Sequence, residues 1–312
     1  MTPPATRTVT ARAPAKVNLA LVVGPLRPDG FHDLATVFHA VDLYEQVNLS
    51  EGAPGIRVIV HGEGAEIVPT GPGNLAVAAV AAVAARAGVD LRRRGVDVVI
   101  AKRVPVAAGL AGGSADAAAA LLAADRLWRA RLGRTQLAAL AENLGSDVPF
   151  SLHGGTALGT GRGEVLTPLA STGSLHWVLA FGSGQLATPR VFAELDRMRE
   201  RLPDPGGQSR PGVPGPLLAA LRSGDLTALA AALSNDLEPA AIALAPLLHR
   251  CLDRGRAAGA MAAVVSGSGP TCAFLARDEA HAAGVAVELT DQGVCRAAVT
   301  VTGPVAGAAV TG

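Results

Sequence analysis

The stretch "PVAAGLAGGSADAAAALL", residues 105–122, constrains the fold more than any other part of the chain. A strand-like segment runs into Gly109, Gly112 and Gly113, and an alanine-rich helix follows. We predict that the glycines form a tight turn and that Ser114 is the N-cap of the helix. Free backbone N–H groups and the positive end of the helix dipole would then converge on one point. The pattern predicts a phosphate site, with a purely structural helix entry as the alternative.

The turn differs from two common nucleotide-binding motifs. No Gly-Lys-Ser/Thr sequence closes it, and its Gly-x-x-Gly-Gly-Ser spacing does not match the dinucleotide fingerprint. Asp116, in the first turn of the helix, has two interpretations. It is an ordinary helix-start carboxylate, which we favour, or it lies beside a triphosphate with a Mg²⁺ ion between them.

The use of lysine is a second unusual feature of this chain. Among 27 basic residues, the lysines are Lys16 and Lys102, and all the others are arginine. Lys16 lies in the middle of "APAKVNLAL", an apolar run that reads as a strand. Because lysine offers a compact ammonium with a tunable pKa, we interpret it as retained for chemistry. A surface lysine on an edge strand is the alternative.

Strand-like and Ala/Leu-rich helical segments alternate along the 312 residues, too irregularly for a doubly wound sheet. We predict an α+β fold of two lobes, divided into residues 1–165 and 166–312. The segment "NLAVAAVAAVAARAG" predicts a helix that ends at Gly88. The Pro/Gly-rich residues 202–216 are predicted to be a mobile loop, because they have few apolar side chains to pack.

Composition excludes several classes of function. A net charge of +1 without a basic stripe gives no electrostatic footprint for nucleic acid or a membrane surface. The longest apolar run is interrupted by Arg86 and is too short to span a bilayer. No signal-peptide pattern opens the chain, so we expect a cytoplasmic protein. Cys251, Cys272 and Cys295 are isolated and odd in number, which argues against a metal site and a disulfide framework.

Three motifs give the chain a resemblance to a known family. "PAKVNLAL", "PVAAGLAGGSADAAAAL" and "SGSGPTCAFL" occur in the order of the three motifs of the GHMP small-molecule kinases. Further stretches, "RPDGFH", "LGSDVPF", "GRGEVLTPL", "ATPRVF" and "NDLEPAA", resemble one branch of that family. That branch phosphorylates the 2-hydroxyl of a cytidine-diphosphate-linked methylerythritol on the non-mevalonate route to isoprenoid precursors.

The resemblance implies a two-lobed GHMP kinase fold with the active site in the cleft between the lobes. It implies an ATP-binding and catalytic N-terminal domain, a substrate-binding C-terminal domain, and ATP and Mg²⁺ as cofactors. Lys16 and Asp147 match the catalytic pair, and Asn18 matches a hydrogen-bonding position on the substrate side. Positions that match the family's nucleotide site are Asn74, Lys102, Pro105, Gly109, Leu110, Ala111, Gly112, Gly113 and Ser114.

Two of these positions also have structural interpretations. Asn74 fits the N-cap of the helix that follows it, and it has both roles if the resemblance holds. Asp147 also fits the cap of a loop before Pro149.

The glycine turn departs from the family pattern, because Ala107, Ala108 and Ala111 stand where glycine is common. Any of the three that requires a positive φ is expected to be strained.

The resemblance places the cytidine end of the substrate at two short segments. Phe31 and His32 lie in a Gly/Pro turn, and Thr188, Pro189 and Phe192 lie in "ATPRVF". In a chain so poor in aromatic residues, a ring in such a turn is suited to stacking a pyrimidine between two rings. His32 would meet the cytosine edge, whereas from the residues alone it reads as a solvated turn histidine. The other histidines are interpreted as structural: His39, His153, His176, His249 and His281.

Alternatives to this function stay open. One is another GHMP kinase with a smaller alcohol, of the homoserine or phosphomevalonate type. The other is a non-catalytic nucleotide-binding regulator on the same fold, against which the presence of both Lys16 and Asp147 argues. Gly267, Ser268 and Gly269 are expected to form a turn that supports the catalytic lobe. The sequence assigns no Mg²⁺ ligand and no oligomeric state.

Overall fold

The computed structural model describes residues 7–201 and 211–312. Most of the predicted loop at 202–216 therefore lies outside the described residues. Residues 211–214 have no regular structure, and a helix that begins at Gly215 covers the last two residues of the predicted loop. None of the helices in the described ranges is long and apolar enough to cross a membrane.

Within the described ranges the strands and α-helices alternate irregularly, as predicted, and form an α+β fold. The strands are β1 Thr8–Leu26, β2 His32–Gly52, β3 Ile56–Gly62, β4 Gly95–Lys102, β5 Thr156–Gly161, β6 Val165–Pro168, β7 Leu175–Phe181, β8 Ser234–Asn235, β9 Ala262–Val265, β10 Thr271–Ala276, β11 Ala297–Gly303 and β12 Ala309–Val310. The helices are α1 Leu75–Ala87, α2 Gly112–Trp128, α3 Arg134–Leu144, α4 Val148–His153, α5 Thr188–Arg199, α6 Gly215–Ser223, α7 Leu226–Ala232, α8 Glu238–Leu244, α9 Leu247–Ala257 and α10 Glu279–Asp291.

The first sheet is organised by the long antiparallel pair β1 and β2. Its central order is β12-β1-β2-β4-β3, and β5 joins the other half of β2 and pairs in turn with β6. β2 reaches both neighbours because it is 21 residues long, with residues 34–39 on β5 and residues 46–52 on β4. The register shifts three times along β1, one of them beside Asn18, so the strand bends where it carries its polar side chains.

The alanine-rich composition of α2 has a packing explanation. Its alanines from Ala115 to Ala124 are almost completely buried between the first sheet and α1. A helix that is enclosed on nearly all sides needs small side chains, since interiors are close-packed. α1 ends as predicted, with Gly88 at the C-cap in a left-handed conformation, φ 69°.

The second sheet is antiparallel, with the order β11-β7-β10-β9. Helices α5, α8, α9 and α10 cover one face, and the other face contributes Trp177 and Leu179 to a core shared with Val17 and Leu19 of β1. The lobes are therefore joined by packing. β6 crosses the predicted division at residue 165, and β8 and β12 return to the first sheet. The division itself stays a prediction.

The prediction that His39 is structural agrees with its place in the fold. Cys251, Cys272 and Cys295 are free thiols packed around one core. His39 lies fully buried on β2, with its Nδ1 2.9 Å from Thr156 Oγ1. Its Nε2 has no partner among the described residues.

The burial of His39 predicts a pH dependence of stability. Burial lowers the pKa of His39 from 6.5 to about 3, so the folded protein keeps it neutral. The unfolded chain binds the proton below about pH 6.5, so stability falls as the pH falls through this interval. We expect His39 to contribute a fall of roughly 1 kcal/mol per pH unit in the free energy of unfolding between about pH 6 and 4. Urea unfolding of wild type and His39→Gln checks this, and equal pH slopes in the two proteins would contradict it.

Candidate active site

A cavity of about 940 Å³ lies between the lobes and joins most of the predicted site residues. The first sheet contributes Lys16 and Asn18 from β1, and the second lobe contributes Thr188 and Phe192 from α5. The remaining predicted residues on its wall are Phe31, His32, Gly109, Ala111, Gly112, Gly113, Ser114, Asp147 and Pro189. The cavity therefore brings together the glycine turn, the predicted catalytic pair and the segments predicted to bind cytidine.

The glycine turn opens α2 three residues earlier than predicted. The helix begins at Gly112 and its N-cap is Ala111, so Ser114 is the third helical residue and the prediction of Ser114 as N-cap is wrong. The reason is backbone conformation, because Ala111 adopts the left-handed region at φ 60° and starts the helix without a side-chain cap. The first N–H groups of a helix have no partner within the helix, and here they belong to residues that line the cavity.

The second lobe supports the turn from behind. A Cβ atom on Gly109 would lie 2.1 Å from the Ser266 carbonyl oxygen, so the two chains approach as closely as glycine allows. Gly267 has a φ of +56°, and a Cβ there would lie 3.1 Å from Lys16 Nζ. Asn235 Nδ2 donates to the carbonyls of Val265 and Gly267 at 2.8 and 2.7 Å and fixes this second turn. The turn at Gly267 and Ser268 thus packs against the glycine turn and also lines the cavity.

Two of the three alanines in the turn have the positive φ that the sequence analysis associated with strain. Ala107 has φ 54° and Ala111 has φ 60°, whereas Ala108 is not among the positive-φ residues. We expect Ala107→Gly to raise the free energy of unfolding by about 1 kcal/mol, because glycine occupies this region without a Cβ clash. The matched control is Ala139→Gly in the middle of α3, which should lower stability by about 1 kcal/mol. Denaturant unfolding of both variants checks the opposite signs, and a loss of stability in both would contradict the prediction.

Lys16 is buried on β1 and is held by a short chain of hydrogen bonds. Its Nζ donates to Asn18 Oδ1 at 2.6 Å and to the Gly109 carbonyl at 2.8 Å. Asn18 Nδ2 donates in turn to Thr36 Oγ1 at 2.8 Å. Burial lowers the pKa of Lys16, and the charge of Asp147 partly opposes this shift. The surface-lysine alternative is therefore wrong, and Asn18 orients the lysine as well as facing the cavity.

Asp147 faces the same cavity as Lys16 but forms no direct ion pair with it. It precedes α4, and its side chain makes no capping hydrogen bond, so the alternative of a structural cap fails. Within the described ranges no nitrogen of a basic side chain lies within 4.0 Å of its carboxylate. The two charged groups therefore share the cavity without an ion pair, and the charge of Asp147 still acts on Lys16.

The cytidine segment forms an aromatic pocket with a pairing that the sequence did not predict. The rings of His32 and Phe192 stack on each other, with centroids 5.0 Å apart. His32 Nε2 lies 2.9 Å from Asp196 Oδ1, and only 7% of the residue is exposed, so it is not a solvated turn histidine. Phe31 is 50% exposed and presents its ring under the guanidinium of Arg162. Thr188 Oγ1 lies 3.0 Å from Ser268 Oγ and links α5 to the turn at Gly267 and Ser268.

Four predicted nucleotide residues are not on the cavity wall: Asn74, Lys102, Pro105 and Leu110. Asn74 is the N-cap of α1, and its Oδ1 accepts from the Ala76 amide at 2.8 Å. Leu110 is buried, and its carbonyl accepts the backbone N–H of Lys16 at 3.2 Å. For Asn74 the helix-cap interpretation is confirmed, and contact of these residues with a nucleotide stays a prediction.

Lys102 belongs to a buried charged cluster behind the glycine turn. Its Nζ lies 2.9 Å from Glu45 Oε1 and 2.6 Å from Asp116 Oδ2. Burial raises the pKa of Asp116 to about 7, and Glu45 adds to the shift while Lys102 opposes it. Asp116 is therefore neither an ordinary exposed carboxylate nor a residue of the cavity wall. It points inward and ties α2 to β2 and β4.

Sequence reasoning missed several residues that line the cavity. Glu142, Asn143 and Ser146 come from the end of α3 and the segment before Asp147, and Arg162 comes from the turn between β5 and β6. Arg162 lies in "GRGEVLTPL", so a signal was present in the sequence, but the pattern does not show which side chain faces the cleft.

The comparison with known families agrees with this architecture. The profile of GHMP kinases N terminal domain matches residues 74–155, and that of GHMP kinases C terminal matches residues 217–308. The chain belongs to the GHMP kinase family.

Within that family, this chain is similar to proteins named 4-diphosphocytidyl-2-C-methyl-D-erythritol kinase. The one from Nocardia farcinica is 55% identical over 97% of this chain and 96% of its own length. That of Saccharopolyspora erythraea is 54% identical over 96% and 93%. A crystal structure of 4-(cytidine 5'-diphospho)-2C-methyl-D-erythritol kinase is 34% identical, with a TM-score of 0.75 over 97% of this chain and 99% of that one.

Proposed function

We propose that this chain transfers the γ-phosphoryl group of ATP to the 2-hydroxyl of 4-diphosphocytidyl-2-C-methyl-D-erythritol, a step toward isoprenoid precursors. The identity of more than half of all residues to proteins of that name, over nearly the full chain, supports the substrate. The observation that carries the proposal is the continuous cavity. It joins an anion-binding turn, an ammonium–carboxylate pair and an aromatic pocket with a histidine, which are the parts that this reaction requires.

The glycine turn is assigned to the phosphates of ATP. Backbone N–H groups at the start of α2 and the positive end of its dipole favour negative charge there. Phosphoryl transfer asks little covalent chemistry of a protein, so positioning and charge stabilisation dominate. We assign nucleotide binding chiefly to residues 1–165. The C-terminal region contributes Thr188, Pro189 and Phe192 to a substrate site that Phe31 and His32 complete.

Lys16 and Asp147 are assigned to the reacting hydroxyl. The hydroxyl oxygen would lie between them, where the carboxylate orients it and accepts its proton as the bond to phosphorus forms. The ammonium of Lys16 would stabilise negative charge on that oxygen and on the transferred group. Hydrogen bonds from Lys16 to Asn18 and Gly109 hold the ammonium in place before the substrate arrives.

The donor set of the cavity fits a Mg²⁺ ion that arrives with the nucleotide. The described residues contain no group of three His, Cys, Asp or Glu side chains suited to a metal. Mg²⁺ commonly takes one or two protein oxygens together with phosphates and water. The Ser114 hydroxyl is an oxygen donor on the cavity wall that would hold it together with phosphate oxygens and water. When bound, the ion neutralises charge that develops on the phosphate oxygens.

The aromatic pocket predicts a specific effect on the alcohol substrate. We expect Phe31→Ala to raise its KM by an amount equivalent to about 1–3 kcal/mol of lost stacking and to leave the KM of ATP nearly unchanged. Tyr44→Ala is the matched control, because that ring also lies under an arginine, Arg12, but is not among the residues of the cavity wall. Steady-state kinetics measure both constants, and an equal rise of the two in Phe31→Ala would show that the ring only supports the fold.

A substrate panel tests the proposed function. ADP release is measured by a coupled assay with 4-diphosphocytidyl-2-C-methyl-D-erythritol, homoserine and phosphomevalonate. We expect turnover with the cytidine compound and little with the other two, since neither contains a base for the aromatic pocket. Turnover with homoserine or phosphomevalonate instead would overturn the substrate. Binding of ATP without turnover of any alcohol would favour a regulator.

The expected location in the cytoplasm stays a prediction.

A further inference from the structure

The side chains that line the cavity carry more negative than positive charge. Lys16 and Arg162 are its lysine and arginine, whereas Glu142, Asp147 and Asp196 contribute carboxylates. The proposed alcohol substrate brings a diphosphate into this cavity in addition to the phosphates of ATP. Each group of phosphate oxygens needs cationic or N–H donors when it leaves water.

The other positively charged groups near the cavity are already paired or assigned. The start of α2 is assigned to the nucleotide, and Lys16 Nζ donates to Asn18 and to the Gly109 carbonyl. Arg27, in the turn that precedes Phe31, is paired with both Asp29 and Asp33 and is not among the residues of the cavity wall. The diphosphate of the alcohol substrate is therefore left without a cationic side chain of the cavity wall unless Arg162 supplies it.

Arg162 lies between the cytidine end and the acceptor end of the cavity. Its Cζ lies 5.2 Å from the centroid of the Phe31 ring, at the cytidine end of the cavity. A Cβ atom on the next residue, Gly163, would lie 4.0 Å from Asp147 Oδ1, at the acceptor end. In a nucleotide-linked polyol the diphosphate connects the nucleoside to the polyol, so it runs between these two ends.

The guanidinium of Arg162 is available for a ligand. Its contact with a carboxylate in the described ranges is Nε to Glu164 Oε1 at 3.6 Å, which is too long for a hydrogen bond. The other oxygen of Glu164 accepts the backbone N–H of Arg162 at 2.6 Å, so this carboxylate shapes the turn. The side chain of Arg162 is 42% exposed. A solvated ion pair of this kind is weak and yields readily to a phosphate.

We propose that Arg162 binds the diphosphate of the alcohol substrate through its guanidinium. This inference rests on the proposed function. The planar fork of arginine matches two phosphate oxygens at once, and the Phe31 ring beneath it limits the orientations of the side chain. Arg162 thereby couples the base pocket to the acceptor site and favours alcohols that carry a diphosphate.

Calorimetry with cytidine and cytidine 5'-diphosphate (CDP) isolates the contact from catalysis. In Arg162→Met we expect the affinity for CDP to fall by about 10-fold to 100-fold, the usual effect of losing a charged hydrogen bond, with cytidine affinity unchanged. Arg162→Lys keeps the charge without the fork and should fall between wild type and Arg162→Met. The matched control is Arg92→Met, because Arg92 also pairs with a carboxylate two residues away, Asp90, on the surface.

Three results would overturn the inference. Equal losses for CDP and cytidine in Arg162→Met would show that the arginine acts through the Phe31 ring. Unchanged CDP affinity with a raised KM for ATP would assign Arg162 to the phosphates of the nucleotide. A wild-type protein that binds neither CDP nor cytidine would refute the proposed substrate and this inference with it. Circular dichroism of the variants confirms that each is folded.

Discussion

Asp147→Asn is expected to lower kcat by about 10²–10⁴ with both substrates still bound, because asparagine keeps the shape of the side chain but accepts no proton. The carboxylate makes no capping hydrogen bond in the structure, so the substitution removes chemistry and not a helix cap. Asp225→Asn is the matched control, since Asp225 also precedes a helix and does cap it, at α7. Steady-state kinetics should show normal kcat for Asp225→Asn. A kcat near wild type for Asp147→Asn would remove the carboxylate from the reaction.

Lys16→Arg tests whether the ammonium and the carboxylate act as one unit. A planar guanidinium does not fit the space in which Lys16 Nζ meets Asn18 Oδ1 at 2.6 Å, so kcat should fall more than KM changes. Because the two side chains serve the same oxygen, the double variant should be scarcely slower than the more damaged single variant. Losses that multiply would show that Lys16 and Asp147 act independently.

Gly113→Val is expected to weaken ATP binding by about 100-fold while the protein stays folded, because the side chain excludes phosphate oxygens from backbone donors. A Cβ atom on Gly113 would meet only Leu75, at 3.9 Å, and both residues line the cavity. Gly112→Val is a different substitution. There a Cβ would lie 3.0 Å from Val104 and 3.2 Å from Glu45 Oε1, so it points into the core.

The adjacent glycines thus separate a binding effect from a folding effect. Gly112→Val should lower the melting temperature, and Gly113→Val should leave it nearly unchanged and reduce ATP affinity in calorimetry. Wild-type ATP affinity in a folded Gly113→Val protein would remove the turn from the nucleotide site. From the sequence alone, Gly112→Val is the substitution expected to block ATP with the fold intact. The packing of α2 shows instead that a Cβ on Gly112 points into the core and that Gly113 is the position open to the cavity.

Local pattern was sufficient for much of the fold and the site. The alternation of segments predicted an α+β architecture, and Lys16 and the glycine turn marked residues that meet in one cavity. The motifs shared with the family predicted Phe31, His32 and Asp147 as site residues, and all three line the same cavity. These predictions depend on spacing within short stretches, which the chain preserves when it folds.

What the sequence did not predict depends on contacts between distant segments. The start of α2 at Gly112 follows from the left-handed Ala111 beside a turn packed against Ser266. Lys102 pairs with Glu45, which lies on a strand more than 50 residues earlier, and no local sequence pattern predicts that pair. The pairing of His32 with Asp196 likewise requires α5, which carries Asp196, to pack near His32 at the start of β2. Such contacts follow from tertiary packing and are not visible in a local pattern.

The position of the transferred phosphate tests the central claim most directly. In 4-diphosphocytidyl-2-C-methyl-D-erythritol, carbon 2 carries the methyl group and no hydrogen, so a phosphate on its hydroxyl has no proton three bonds away. The product formed from ATP by wild-type protein is examined by proton-coupled ³¹P NMR. We expect one new phosphomonoester resonance without three-bond coupling to protons, and its absence in Asp147→Asn under the same conditions. A new resonance split by neighbouring carbon-bound protons, or no monoester from the wild-type protein, would contradict phosphorylation at the 2-hydroxyl.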